Sequence, residues 1–270
     1  MKVVKNVSTD NEGLHPHYRC KEPLLKLLVN AGLGSRRKVT TLIKQNRITV
    51  NGISVDNFTF QVDVQKDAIA VDGRSLRLAQ TPTIVLMLNK PAGVLSTTKD
   101  ERGRPTVIGI LPPKYRDMKL YPAGRLDKNS TGLLILTNDG TLTYTLTHPK
   151  FEHEKEYLVS IRYTLTTNDK ISLEKGMQLE DGFTYPAIIK EVKMFPPYNY
   201  SITIHEGRKN QVRRMFEKTG HTVLALKRIR IGKLTLGHLE ESKVRELQAR
   251  EIEQLLSSQR EQSPRDEAYR

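Results

Sequence analysis

The stretch AGRLDKNSTGLLILTNDG, residues 123–140, carries one carboxylate, Asp127, with Arg125 two positions earlier and a polar turn followed by an apolar strand after it. No second acid or histidine lies close by. Glycoside hydrolysis and metal-dependent nuclease chemistry need paired or clustered carboxylates. Asp139, in TNDG, reads instead as the cap of the next helix. A lone carboxylate suits nucleophilic or electrostatic work on a developing cation. An ordinary turn fits the same letters, because an aspartate before Lys-Asn-Ser-Thr-Gly bonds its own backbone in a chain reversal. On the four letters GRLD alone the ordinary turn is the stronger reading.

Two cationic clusters stand in the same chain. In SRRKVTTLIKQN, Ser35 reads as an N-cap and Val39, Leu42 and Ile43 share one face of a short helix. Arg36 and Arg37 then fall in its first turn, where the macrodipole disfavours a cation by about 0.3 to 1 kcal/mol each. A phosphate backbone offsets that cost, and Lys38, Lys44 and Arg47 extend the contact. A solvated charged face is the plainer account. In HEGRKNQVRRMFEKTG, Asn210 reads as the cap of a helix that turns Val212, Met215 and Phe216 inward. Arg208, Lys209, Arg213, Arg214 and Lys218 surround that helix. Lys227, Arg228, Arg230 and Lys233 follow on a strand and give this part of the chain a polyanion-binding face of its own.

The elements that carry these residues are legible from periodicity. Residues 1–21 read as a flexible arm and 257–270 as a disordered tail. Between 22 and 80, PLLKLLVNAGLG and SRRKVTTLIKQN read as helices, and Asn51-Gly52 and Asp72-Gly73 as hairpin turns. Pro82 lies near a boundary. From 83 to 256, IVLMLNK, GLLILTN, KEYLVSIRY, YSITIHE and TVLALKRIRIGKLTL read as strands. DGTLTYTLTH, NDKISLEKGM, NQVRRMFEKTG and ESKVRELQAREIEQLL read as helices. The mixture argues for an α+β domain around a largely antiparallel sheet.

Composition narrows the class. The 270 residues hold 44 Lys and Arg against 30 Asp and Glu, a net charge of +14 that suits a polyanionic partner. One cysteine, Cys20, excludes an intramolecular disulfide and fits a reducing, cytoplasmic setting. No signal peptide or membrane-spanning run is read, the scattered histidines lack metal-ligand spacing, and no major-groove helix motif stands out.

LLKLLVNAGLGSRRKVTTLIKQNRITVNG resembles the RNA-binding module of the S-four type, first known from a small-subunit ribosomal protein. It departs from that pattern at Gln45-Asn46, where a glycine commonly precedes the basic residue. After it, NKPAGVLSTTKDERGRPTV, GRLDKNSTGLLILTNDG, EKEYLVSI and EGRKNQVRRMF, in this order, resemble the Rsu/Rlu-type pseudouridine synthases that modify ribosomal RNA. The likeness covers residues 22 to about 255, departing at Glu241-Ser242, where a glycine turn is usual. It implies a small S-four-like RNA-binding domain followed by a catalytic domain with a mixed, largely antiparallel sheet flanked by helices.

The resemblance also implies roles. Asp127 matches the catalytic aspartate, Tyr157 the active-site tyrosine, and Arg213 the basic residue that pairs with the aspartate. RNA contact is expected from Arg36, Arg37, Lys38, Lys44, Arg47, Lys90, Arg125, Arg208, Arg214 and Arg228. The reaction is an isomerisation that needs no metal or cofactor: the bond from ribose to base nitrogen breaks, the base turns, and the ribose carbon rejoins at carbon 5. The Tyr157 ring stacks on the uracil and its phenol assists proton removal from carbon 5; taken as one letter, it also fits a core aromatic. Ester formation with ribose, addition at carbon 6 and a glycal route all fit one ionised carboxylate. The expected partner is ribosomal RNA, somewhat favouring the large subunit, free or in an assembling particle, with a monomeric enzyme. A non-catalytic assembly factor with the same fold is the alternative.

Overall fold

The computed structural model describes residues 21–76 and 82–257. The arm expected at 1–21 and the tail at 257–270 lie outside these residues except for Lys21, which belongs to a strand, and Ser257. Backbone contacts divide the chain into two compact units between Pro82 and Thr83.

In the first unit, strand β1 (Lys21–Pro23) leads into helices α1 (Leu24–Asn30) and α2 (Arg36–Lys44). Strands β2 (Ile48–Val50), β3 (Ile53–Ser54), β4 (Gln61–Asp63), β5 (Ile69–Val71) and β6 (Arg74–Ser75) follow. The strands form a sheet of order β3-β2-β5-β6 and a β1-β4 pair. Asn51-Gly52 and Asp72-Gly73 make the two hairpin turns, all four residues with positive φ, as tight two-residue loops require. Leu24, Leu28, Val39, Ile43, Ile48 and Val62 fill the core, which fixes the buried face of α2 and leaves its cations outside. Ser35 caps α2 by accepting from the Lys38 amide. Asn46, at the departure from the S-four pattern, has φ of 57°, a left-handed conformation that asparagine tolerates better than most residues, so the turn survives without glycine.

The second unit begins with β7 (Val85–Lys90), α3 (Pro113–Arg116), β8 (Tyr121–Ala123), β9 (Thr131–Thr137) and α4 (Gly140–Thr147). It continues with β10 (Lys155–Ile161), α5 (Thr167–Lys175), β11 (Gln178–Leu179), β12 (Gly182–Phe183), β13 (Ile188–Glu191) and β14 (Tyr200–Ile204). Helix α6 (Gln211–Lys218), β15 (Val223–Ile231), β16 (Leu234–Thr235), β17 (Val244–Glu246) and α7 (Ala249–Leu256) complete it. The main sheet runs β13-β14-β10-β15-β9-β7-β17, with β8 added on β9 and β16 on β15. Its pairs are antiparallel except β9 with β15. The fold is thus α+β with a mixed, largely antiparallel sheet flanked by helices.

Both faces of the central strands are covered. Leu86, Leu88, Leu134 and Leu136 point into one core, while Val85, Met87, Leu133 and Ile135 point into the other, as the two-residue period of a strand dictates. The parallel β9–β15 contact depends on Gly132, whose φ is 101°. A Cβ there would lie 2.2 Å from the Arg228 carbonyl oxygen, so a side chain would drive the strands apart.

One expectation is corrected. The segment read as one charged helix over ESKVRELQAREIEQLL is a strand followed by a helix, because Val244, Arg245 and Glu246 pair with Leu88, Met87 and Leu86. Their backbone completes the sheet edge, and the Gln248–Glu251 capping box starts the helix only at Ala249. Upstream, the usual glycine position is taken by Ser242 at φ of 67°, so the turn persists with a serine held in a conformation that glycine adopts at lower cost.

Candidate active site

Asp127 lies between β8 and β9 in a loop held at several of its backbone groups. The Ser130 amide donates to the Asp127 carbonyl at 3.0 Å, closing the turn that enters β9. Lys90, at the end of β7, is fully buried; its ammonium donates to the carbonyls of Pro91, Lys128 and Ser130 at 2.9, 3.1 and 2.8 Å. The Gly93 amide adds a second bond to Lys128 at 2.9 Å. Burial pushes Lys90 down to about 8, opposed by the carboxylates of Asp127 and Glu241. Lys90 was expected to contact RNA, and its burial rules that out: it pins the loop and sets a cation behind Asp127.

The Asp127 carboxylate faces the start of α6. With the Asn210 amide assigned the orientation its neighbours require, nitrogen toward the acceptors, that nitrogen donates to both carboxylate oxygens, at 2.8 and 2.9 Å. Asn210 holds the N-cap position with φ of 52° and makes no capping bond, which corrects the expectation that it caps the helix. Its side chain is spent on Asp127 instead. The aspartate likewise does not bond its own turn, so the chain-reversal reading loses its physical basis. The positive end of α6 adds potential of the right sign.

Arg213 was expected to pair with Asp127. Its guanidinium donates instead to the Val223 carbonyl at 2.8 Å, anchoring α6 to β15. Among the described residues no cation lies within ion-pair distance of Asp127. The polar partner that reaches it comes from one turn earlier on the same element.

The sheet brings Tyr157 to this end of the unit. Gly132 is opposite Arg228 on β15, and Arg228 is opposite Tyr157 on β10. At a strand spacing of about 4.8 Å, Tyr157 is two strands, about 10 Å, across from the start of β9. It is buried, with the Arg228 guanidinium 5.9 Å over its ring.

The expected RNA-contacting cations divide sharply. Arg36, Arg37, Lys38 and Lys44 on α2 are exposed, as is Arg125 in the Asp127 loop. Arg125 is not on a strand, so no strand alternation aligns it with Asp127. Arg47 is exposed but bound bidentately by Asp72, at 2.8 and 2.6 Å. Arg228 is buried and donates to the Leu133 carbonyl at 2.7 Å, which corrects its assignment to RNA. Arg230 is engaged by Glu154 and Glu156, so the polyanion-binding face expected on β15 is largely turned inward. Arg208 donates to Glu206 at 2.9 Å and to the carbonyls of Asp181, Gly182 and Phe183. Arg214 grips Asp181 bidentately at 2.9 Å through both nitrogens. Both are tied to protein acceptors, and both pin α6 to the β11–β12 turn.

Comparison with known proteins fits this arrangement. Residues 84–218 match the family model described as RNA pseudouridylate synthase, and residues 22–69 match the S4 domain. The chain belongs to the RNA pseudouridylate synthase family and is an RNA pseudouridine synthase with an N-terminal S4 domain. It is 39% identical over 237 residues to ribosomal large subunit pseudouridine synthase B of Bacillus subtilis (strain 168), covering 87% of this chain and 95% of that one. It is 40% identical over 248 residues to the protein of the same name from Pseudomonas aeruginosa, covering 88% of this chain and 63% of that longer one. A solved pseudouridylate synthase superimposes with a TM-score of 0.61 at 34% identity, covering 86% of this chain and 99% of the other.

Proposed function

We propose that the protein converts a uridine of large-subunit ribosomal RNA to pseudouridine, with Asp127 as the carboxylate that acts at the reacting nucleotide. The observation that carries this reading is the grip of Asn210 on both oxygens of Asp127, which has no other side-chain partner among the described residues, in a loop pinned from below by Lys90. Two donated hydrogen bonds orient the carboxylate, and a preorganised charge needs no reorganisation as the glycosidic bond breaks. The ribose-to-nitrogen bond is lost, the ribose-to-carbon-5 bond forms, the carbon-5 proton leaves and the freed ring nitrogen takes up a proton, so atoms and electrons balance without a cofactor. Tyr157 supplies the ring against which the uracil turns, and Arg125, exposed ahead of Asp127, takes the space the flipped nucleotide leaves. Arg36, Arg37, Lys38 and Lys44 dock the phosphate backbone. The similarity to synthases named for the large ribosomal subunit supports that choice of substrate.

The test is a pseudouridine map of ribosomal RNA from cells lacking the protein, complemented with wild type or Asp127→Asn. One large-subunit uridine regained with wild type alone is the expected result. Equal rescue by Asp127→Asn overturns the catalytic assignment and leaves an RNA-binding assembly factor.

A further inference from the structure

Asn210 meets Asp127 from a short loop, residues 205–210, that joins β14 to α6. Its φ of 52° is a conformation that few residues besides glycine, asparagine and aspartate enter readily, so something must hold the chain there. The neighbouring residue does so. Gln211 is 3% exposed, and its side chain reaches back over the loop. Its Nε2 donates to Glu206 Oε1 at 2.5 Å, and its Oε1 accepts from the Arg208 amide at 3.0 Å. A carboxylate on one side and an N–H on the other leave a single orientation for that amide. The Gln211 backbone amide also donates to the Arg208 carbonyl at 3.2 Å, so residues 208 and 211 are joined through main chain and side chain alike.

Glu206 ties this loop to the rest of the unit. Its Oε1 accepts a second bond from the Tyr185 amide, between β12 and β13, at 3.0 Å, and its Oε2 accepts from Arg208 Nε at 2.9 Å. The Glu206 charge also opposes the fall that burial imposes on Lys155, which stands on β10 two residues before Tyr157. At the far end of the loop the Asn210 carbonyl accepts from the Arg214 amide at 3.0 Å. Asn210 is therefore fixed on both sides while its side chain makes no bond to the helix. Gln211 is the point where these ties meet, and as a buried polar group it has no water to replace a lost partner.

We propose that Gln211 is a positioning residue for the reaction: by clasping Glu206 and the Arg208 amide it holds the loop in the shape that aims the Asn210 side chain at both oxygens of Asp127. The inference rests on Asp127 being the reacting carboxylate. Gln211 is buried and acts through Asn210. One planar amide supplies the donor that Glu206 needs and the acceptor that the Arg208 amide needs, and it does so without a charge of its own, which leaves the Glu206 carboxylate to Arg208 and Lys155. A side chain of the same length that lacks either half of this pairing leaves a buried group unsatisfied and frees the loop to turn Asn210 away.

The experiment is single-turnover conversion of in vitro transcribed large-subunit ribosomal RNA by the full chain, with hydrogen exchange at residues 206–212 followed in parallel. Gln211→Met keeps the length of the side chain and removes both bonds. It lowers the rate at saturating RNA by at least about tenfold, since small misplacement of a reacting group is costly, and leaves half-saturation within about twofold of wild type. In an Asn210→Ala background the same change costs less than about twofold, because the group it positions is gone; general destabilisation costs the same in both backgrounds. Exchange at the Arg208 amide speeds up in Gln211→Met with no RNA present. Gln211→Glu supplies a rescue by protonation. The new carboxyl faces Glu206 and Arg208 in its own loop, with His205 beside them, Lys155 on β10, and Asp181 at the β11–β12 turn. Two carboxyls so close share one proton, and while it is held the variant donates and accepts as glutamine does. Its rate relative to wild type at the same pH rises as pH is lowered, with a midpoint above the roughly 4.3 of a free glutamate, and the Gln211→Met ratio stays flat. Equal losses in the two backgrounds, an unchanged saturating rate in Gln211→Met, unchanged exchange at Arg208, or a Gln211→Glu ratio that ignores pH overturns the proposal. An active Asp127→Asn on the same RNA overturns the proposed function, while the exchange at Arg208 still decides whether Gln211 holds the loop.

Discussion

Helix α2 carries Arg36, Arg37, Lys38 and Lys44 in the open, whereas the region of α6 and β15 turns Arg208, Arg213, Arg214, Arg228 and Arg230 onto protein acceptors. The two segments have similar charge density, and their surroundings differ. Around α2 the core is small and close to one face of the helix, and among the described residues no carbonyl or acid pairs with the cations of the first turn. Around α6 and β15 the carbonyls of Leu133, Asp181, Gly182, Phe183 and Val223 each accept from a guanidinium. A guanidinium, with several donors in a fixed fork, satisfies more than one of them at once. Arginine therefore serves as an architectural pin in one region and as a free cation in the other.

The largest effect that separates them is on stability. Arg228→Ala leaves the Leu133 carbonyl without its donor and empties space beside Tyr157, and it should cost about 3 kcal/mol in urea denaturation. Arg36→Ala with Arg37→Ala should act oppositely. RNA affinity falls by about 10- to 100-fold near 0.1 M salt, and the slope of log affinity against log salt shrinks by about 0.7 to 0.9 per lost phosphate contact. The urea midpoint stays level or rises slightly, because two cations leave the positive end of a helix. A loss of stability there, or unchanged binding, breaks the division.

Acidity gives an intermediate effect. Burial lowers Lys90 and Lys155 to about 8, so the folded chain releases both protons at a pH where the unfolded chain still holds them. Between pH 8 and about 10.5 the unfolded state binds more protons, and these two groups add stability as pH rises. Their contribution is lost as pH falls through 8. Lys90 also loses its charge behind Asp127 there, so the single-turnover rate should decline above about pH 8 while RNA affinity stays flat, because guanidinium groups keep their protons. A rate and an affinity that fall together would assign the limb to binding. Smallest is Arg214→Ala: its partner Asp181 is 44% exposed, and the loss should be about 0.5 to 1 kcal/mol, with RNA affinity within about twofold of wild type.

Much of this was legible in the residues. The two hairpin turns, the caps at Ser35 and Asp139 and the strand that follows GRLD come from local rules, and the structure has each of them. The fate of the arginines was not legible, because it depends on which carbonyls arrive from 10 to 95 residues away. Lys90 follows an apolar run and precedes a proline, yet nothing local says that three carbonyls converge on it. Asn210 carried the nearest signal: it stands just ahead of QVRR, but a cap was the cheaper local explanation. The strand at Val244 was hidden by its charged neighbours, since an edge strand is defined by the backbone of its partner.

The parallel seam between β9 and β15 also sets a timetable. Leu133 and Arg228, joined by one hydrogen bond, are 95 residues apart in the chain. At about 5 to 20 residues per second, translation takes roughly 5 to 20 s to deliver the second after the first. Throughout that interval the apolar strand behind Asp127 has one edge uncovered and Asn210 has not yet been made for most of it. The nascent chain therefore acquires its RNA-docking unit early and its chemistry late, so a ribosome stalled before β15 would hold a binder that cannot react.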